Sequence, residues 1–198
     1  MRDGDVTKAA IIEVATKLFF ERGFYGTTMR DIAEAVGIKP ASIYNHVASK
    51  EALLHLIALG SIQELYELGL NATLSGDDPK SQLRALIRSH VIYHMHSSHR
   101  AKVSDDQLHA LSEEHLVEVL AVRDKYESLV KAVLARGRDL ENWNVSDVAV
   151  TTFALATMCT AVGTWYREGG RLSAEQVADI YEDIALGAMT GRPGDTRH

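Results

Sequence analysis

The stretch GFYGTTMRDIA (residues 23–33), followed by VGIKPASIYNHV (36–47) and SKEAL (49–53), decides how this chain is read. Gly23 and Gly37 suit helix ends, because glycine accepts left-handed backbone without steric cost. Thr28 sets a hydroxyl where the first amides of a helix lack acceptors. Ile32, Ala33 and Val36 then recur as the buried face of a short second helix. A third short helix is expected with Pro40 near its first position, where a missing N–H costs nothing, ending near Val47. Ser49 opens a fourth, with Lys50 and Glu51 in its first turn, running to about Leu70. Upstream, a first helix runs from Thr7 to Arg22 with Ile11, Ile12, Ala15, Leu18 and Phe19 inward. The pattern is two short helices around a glycine turn, fastened to the first helix by Ile32, Ala33, Val36, Ile43 and Val47. Lys39, Ser42, Tyr44, Asn45 and His46 face outward, mostly as hydrogen-bond donors, on a segment slim enough for a major groove.

Charge argues against nucleic acid only if taken globally. The chain of 198 residues carries −6, yet residues 1–51 hold seven Lys/Arg and seven Asp/Glu and are neutral. Binding through bulk charge needs a cationic excess, so any recognition here has to be geometric. The single cysteine, Cys159, excludes an internal disulfide and a multi-cysteine zinc site. The start, Met1 to Lys8, is polar and acidic without the apolar stretch of a secretory leader, and no apolar run approaches the roughly 20 residues of a bilayer span. A soluble cytoplasmic protein with no membrane partner is expected.

Outward from the motif, nearly everything reads as helix, with few prolines and no alternating segment. A fifth helix follows the loop before Pro79 and reaches about His96. A short helical piece is expected around residues 105–111. A long helix capped by Ser112 carries Leu116, Val119, Leu120, Tyr126, Leu129, Val130, Val133 and Leu134 and closes at Gly137. An apolar helix runs from Ser146 to Trp165, and a last one opens on the capping box of Ser173 and Gln176. The sum is an all-α chain of about nine helices, with a helix-turn-helix part over residues 1–52 and a larger part over 53–198; the resemblance given next implies DNA binding for the first and ligand binding and dimerisation for the second.

The segment from about residue 8 to 55 closely resembles the N-terminal domain of the TetR family of transcriptional repressors, with helix boundaries in register. The resemblance implies that Thr28, Tyr44, His46 and Lys50 contact DNA phosphates, Lys50 offering ammonium and helix-terminus amide. Lys39, Ala41, Ser42 and Asn45 fall where operator sequence is read. Asn45 suits adenine, Lys39 suits guanine, and Pro40, replacing a usual lysine or serine, offers an apolar surface to a thymine methyl. The acidic start makes minor-groove arm contacts doubtful. Further on, WYREGGRLS (165–173) is similar to a subset that includes actinobacterial regulators of sterol and fatty-acid breakdown, some answering to acyl-CoA thioesters.

The resemblance implies as partners a double-stranded operator, a second copy of the chain, and a small apolar or acyl-CoA-like effector; no cofactor is implied. The last two helices are the expected dimer surface, through Val150, Ala154, Met158, Ala161, Val162, Val177, Ile180, Ile184 and Ala188, since a helix apolar nearly all round is covered on every side. An effector pocket is expected among His90, Tyr93, His94, Tyr126, Phe153, Met158 and Trp165. His90 and His94, four apart, are weak metal candidates needing a third ligand such as Asp105, Asp106 or His115. An enzyme is the competing reading, but no phosphate loop, nucleophile elbow or His-Glu-x-x-His motif supports it.

Overall fold

A computed structural model describes residues 7–191; the acidic start ahead of Thr7, where arm contacts were at issue, and Pro193 lie outside them. Among the described residues there are eight α-helices and no strand: α1 (Lys8–Arg22), α2 (Met29–Val36), α3 (Lys50–Ser75), α4 (Pro79–His96), α5 (Ser98–Asp106), α6 (Glu113–Glu141), α7 (Val148–Trp165) and α8 (Ala174–Thr190). Two 3-10 turns, Ser42–Asn45 and Leu108–Ala110, complete the order.

The starts follow the expected chemistry. Thr7 and Thr28 cap α1 and α2, Asp78 and Ser173 form capping boxes at α4 and α8, and Asp147 rather than Ser146 caps α7. Several ends differ from expectation. The third helix is a single 3-10 turn, Ser42–Asn45, with no side-chain cap at its start. α5 lies earlier than expected. α6 passes through Gly137, whose missing side chain serves packing instead: a Cβ there would fall inside the Trp143 ring. Asn142, in left-handed conformation at φ 53°, ends the helix.

The chain divides into two compact units. The first comprises the chain up to Gln63 together with His99–Val122; the second comprises Glu64–Ser98 and the chain from Arg123 onward. In the first, Ile11, Ala15, Phe19, Ile32, Ala33, Ile43, Leu53 and Ile57 form one core that also takes in Val103. Ile11, Ile32 and Ile43 have no exposed surface, and each contributes about 1.5–3 kcal/mol by leaving water.

In the second unit α4 packs against α7 and α8. An ionic cluster reinforces that contact: Arg84 meets Glu182 at 2.8 Å and Asp183 at 2.9 Å, and Arg88 meets Glu182 at 2.6 Å and also Asp179. Glu182 is buried, so its charge is tolerable only because two guanidinium groups hold it. α7 is long and apolar enough by composition to cross a bilayer, which the expectation of no such run missed. Of its residues, only Thr152, Leu155, Cys159 and Val162 are buried. Val150 and Phe153 stand 67% and 73% exposed, and Ile180 and Ile184 of α8 stand 46% and 51% exposed.

Candidate functional site

The N-terminal segment presents its polar groups as a consequence of how its apolar ones are spent. Ile38, Ile43 and Val47 are buried, and successive tight turns join them: Ser42 N–H donates to Lys39 C=O at 2.9 Å and His46 N–H to Ile43 C=O at 3.0 Å. With those anchors inward, Lys39, Pro40, Ala41, Tyr44 and Asn45 are exposed, and Ser42 and His46 half-buried. Tyr44, at 56% exposure, is an aromatic ring with a hydroxyl held in water. That combination suits contact with a sugar–phosphate backbone.

Thr28 begins α2 within reach of the same face by sequence. Its hydroxyl accepts the Asp31 N–H at 3.1 Å, and the Asp31 carboxylate accepts from both the Thr28 hydroxyl (2.7 Å) and the Thr28 N–H (2.8 Å). Those bonds hold the Asp31 carboxyl below the usual carboxylate range. The open amides of this helix start thus already hold an anion, the Asp31 carboxylate.

Lys50 is placed differently from its neighbours. Its Nζ donates to the carbonyls of Phe24 and Thr27, both at 2.7 Å, and lies 4.3 Å from the centre of the Phe24 ring. The next residue, Glu51, accepts the Ser112 N–H at 2.9 Å and meets His115 Nδ1 at 2.8 Å. His115 stacks on His55 with ring centres 3.8 Å apart, and His55 meets Glu118 at 3.0 Å. The hydrogen bond to Glu51 raises the His115 pKa. Partial burial opposes the Glu51 charge, but the Ser112 amide and His115 outweigh it and hold that carboxyl below its usual range.

In the second unit the expected pocket residues separate. His90, Tyr93, His94 and Tyr126 are buried. His90 Nδ1 lies 2.6 Å from Tyr126 Oη and its Nε2 lies 3.1 Å from Thr160 Oγ1, and His90 stacks on His94 at 4.7 Å. Phe153 and Trp165, by contrast, are exposed at 73% and 51%, and Met158 is half-buried. α7 is apolar on almost every side, so its sequence gives no phase from which to tell inward from outward residues. Burial, and then the neighbouring His94, drive the His90 pKa well below its ordinary value; burial pushes His94 down to about 4 and the Cys159 thiol up to about 12. Both ring nitrogens of His90 are engaged, whereas His94 Nε2 is buried without a hydrogen-bond partner. Among the described residues no three His, Cys, Asp or Glu side chains converge on a metal position.

The open space lies elsewhere. A cleft of about 590 Å³ is lined by Tyr66, Thr73, Gln82, Asp124, Lys125, Ser128, Leu129, Ala132, Val133 and Arg136. Gln82 organises one wall: its amide donates to the carbonyls of Thr73 (2.8 Å) and Gly76 (3.0 Å), and its oxygen accepts from Arg136 at 2.7 Å. The cleft offers two cations, the Asp124 carboxylate and an aromatic hydroxyl beside aliphatic surface, a lining suited to an amphipathic molecule. Sequence reasoning missed it, although Lys125, Ser128, Ala132 and Arg136 recur at helical spacing along one side of α6.

Comparison with known proteins agrees with the geometry. Residues 11–57 match the family described as bacterial regulatory proteins, tetR family, and residues 76–189 match the tetracyclin repressor-like C-terminal domain. The HTH-type transcriptional repressor KstR2 of Rhodococcus jostii is 30% identical over 185 residues, covering 92% of this chain and 90% of that protein. The structure of the ketosteroid transcriptional regulator KstR2 of Mycobacterium tuberculosis is similar with a TM-score of 0.84 and 27% identity, over 95% of this chain and 97% of the other. AibR in complex with isovaleryl coenzyme A and operator DNA is similar with a TM-score of 0.82 and 26% identity, over 89% and 96%. These relatives are transcription regulators and not enzymes. With both halves matched and its helices ordered in the same way, this chain belongs to the bacterial TetR family of transcriptional regulators.

Proposed function

We propose that the chain is a homodimeric repressor that binds a palindromic operator and releases it when an amphipathic acyl-CoA-like molecule occupies the second unit. The observation that carries this reading is the outward set Lys39, Pro40, Ala41, Tyr44 and Asn45, held by the buried anchors Ile38, Ile43 and Val47. Asn45, Lys39, Ala41, Ser42 and Pro40 read base edges, while Thr28, Tyr44 and His46 fix the protein on the phosphates. Two such segments engage successive half-sites about 34 Å apart. The exposed apolar residues of α7 and α8, among them Val150, Phe153, Ala154, Ala161, Ile180, Ile184 and Ala188, meet the same residues of a second copy. Val162 and Val177, expected at that surface, are instead in the protomer's own core, at 0% and 2% exposure.

For the effector, the lining of the cleft supports an anionic group against Lys125 and Arg136 and an apolar one against Leu129 and Val133. AibR, a relative, was captured with an acyl-CoA. An effector releases DNA only by binding the released arrangement more tightly than the DNA-bound one, and operator affinity falls by that difference. The test is a gel shift on the duplex that the purified protein enriches from a random-sequence pool, repeated with isovaleryl-CoA and with a long-chain acyl-CoA. Retardation relieved by one thioester and not by free CoA is expected; failure to enrich any duplex at low salt ends the reading.

A further inference from the structure

Lys50 opens α3 beside the DNA-reading segment, where a lysine is naturally taken for a phosphate contact. Its surroundings say otherwise. The ammonium already donates to two main-chain carbonyls at 2.7 Å, those of Phe24 and Thr27, and the Phe24 ring lies on another side at 4.3 Å. The loop it grips is itself fixed. Thr27 has no exposed surface, its hydroxyl donates to Gly23 C=O at 3.0 Å, and Phe24 packs edge-on against Phe19 with ring centres 5.4 Å apart. Swinging the ammonium out to a phosphate would break two charge-assisted bonds and leave the buried Thr27 carbonyl short of a donor.

The gripped carbonyl belongs to the peptide unit whose other end is the N–H of Thr28. Because that unit is rigid and planar, holding its oxygen fixes where the Thr28 N–H points. A cation on the oxygen also draws electron density from the nitrogen and makes that N–H a stronger donor, as in any polarised hydrogen-bond chain. At present the strengthened N–H serves the Asp31 carboxylate at 2.8 Å.

We propose that Lys50 is a positioning residue for DNA binding: its ammonium, through the Thr27 carbonyl, sets and polarises the Thr28 amide, and that amide with the Thr28 hydroxyl exchanges the exposed Asp31 carboxylate for a phosphate oxygen. Lys50 itself touches no phosphate with its charge. This inference rests on the DNA-binding reading above. It also separates the two kinds of donor a helix opening can offer: the Lys50 side chain faces its own protein, and only main-chain amides of that turn are left to face DNA.

Salt dependence distinguishes the two roles, because each lysine–phosphate contact releases counterions and adds about 0.9 to the slope of log affinity against log salt concentration. Using the duplex enriched by the wild-type protein, Lys50→Met is expected to weaken binding about tenfold while leaving that slope unchanged. Lys50→Arg keeps the charge but cannot reproduce the ammonium's seat between two carbonyls, so it too should bind more weakly at unchanged slope. In the double variant Lys50→Met/Thr28→Val, the loss should be well short of the product of the two single losses. A slope lower by about 1.8 in the Lys50→Met dimer, wild-type affinity in Lys50→Arg, or additive losses in the double variant would each overturn the proposal. Those results would leave the repressor reading standing, whereas failure of the wild-type protein to enrich any duplex removes both. Thermal melts of each variant show whether it is folded, and Lys50→Arg carries the test should Lys50→Met not fold.

Discussion

The two units leave opposite kinds of surface in water. Around the Ser42–Asn45 turn of the first unit the exposed groups are Lys39, Tyr44 and Asn45, which water satisfies and which a base edge or phosphate would satisfy as well. On α7 and α8 the exposed groups are Val150, Phe153, Ile180 and Ile184, which water does not satisfy and only another apolar surface does. The same opposition recurs in two histidine pairs. His55 and His115 stack between Glu51 and Glu118, so acid neighbours favour the His115 charge. His90 and His94 stack in a buried setting that disfavours theirs. Neither the presence of a residue type nor its stacking decides what it does; what lies around it does.

The contrast can be broken most forcefully on the apolar face. Phe153→Asp with Ile184→Asp places four carboxylates in the proposed dimer, and dimer affinity is expected to fall by about a thousandfold or more, with operator binding lost and the protomer still helical. Analytical ultracentrifugation beside circular dichroism reads both; an unchanged dimer removes α7 and α8 from the interface.

The buried histidine pair comes next. Because the folded pKa of His94 lies below its unfolded value near 6.5, the stability it contributes is complete above pH 6.5 and lost as pH falls towards 4. The loss amounts to about 3 kcal/mol for that shift, and His90 acts in the same direction. Urea melts at pH 7 and pH 5 should show the decline, and His94→Phe should flatten it. On the polar face, Asn45→Ala is expected to weaken the preferred duplex by about 1–3 kcal/mol and to relax its choice of one base pair, leaving the melting temperature and the dimer unaltered. Uniform weakening across all sequences would reassign Asn45 to the phosphates.

The smallest effect belongs to the half-buried pair His55 and His115, and its sign is the reverse. The raised His115 pKa stabilises below the unfolded value of about 6.5 and fades as pH rises through the folded one; the depressed Glu51 pKa stabilises above about 4.5 and fades as pH falls through its own. Their pairing is therefore strongest between those limits. His115→Gln should remove a slight decline in melting temperature between pH 6 and pH 8.5, and high salt should mask it.

How far the sequence could be read follows from the same chemistry. α2 was legible to the residue, because Thr28, Asp31, Ile32, Ala33 and Gly37 each carry a separate local signal. The three-dimensional use of Gly137 was not: a glycine that stops a helix and one that admits an indole look alike in one dimension, and Trp143 is six positions away. The segment 98–122 was assigned to the second domain because sequence order suggests it, yet Val103 joins the N-terminal core through contacts that no local pattern records. Phe153 and Trp165 were expected inside because α7 lacks the polar residues that would show which side meets solvent, and the cleft was missed because its lining is assembled from three helices.

The ionic cluster on α8 divides the work of that helix by chemistry. Glu182, Asp179 and Asp183 tie it to Arg84 and Arg88 of its own protomer, while Ile180 and Ile184 stay outside that tie. Rotation of α8 about its axis is resisted by charge, independently of whatever covers the isoleucines. Substitutions can therefore accumulate on the isoleucine side without loosening that tie, so the surface that side presents can change while the protomer keeps its fold.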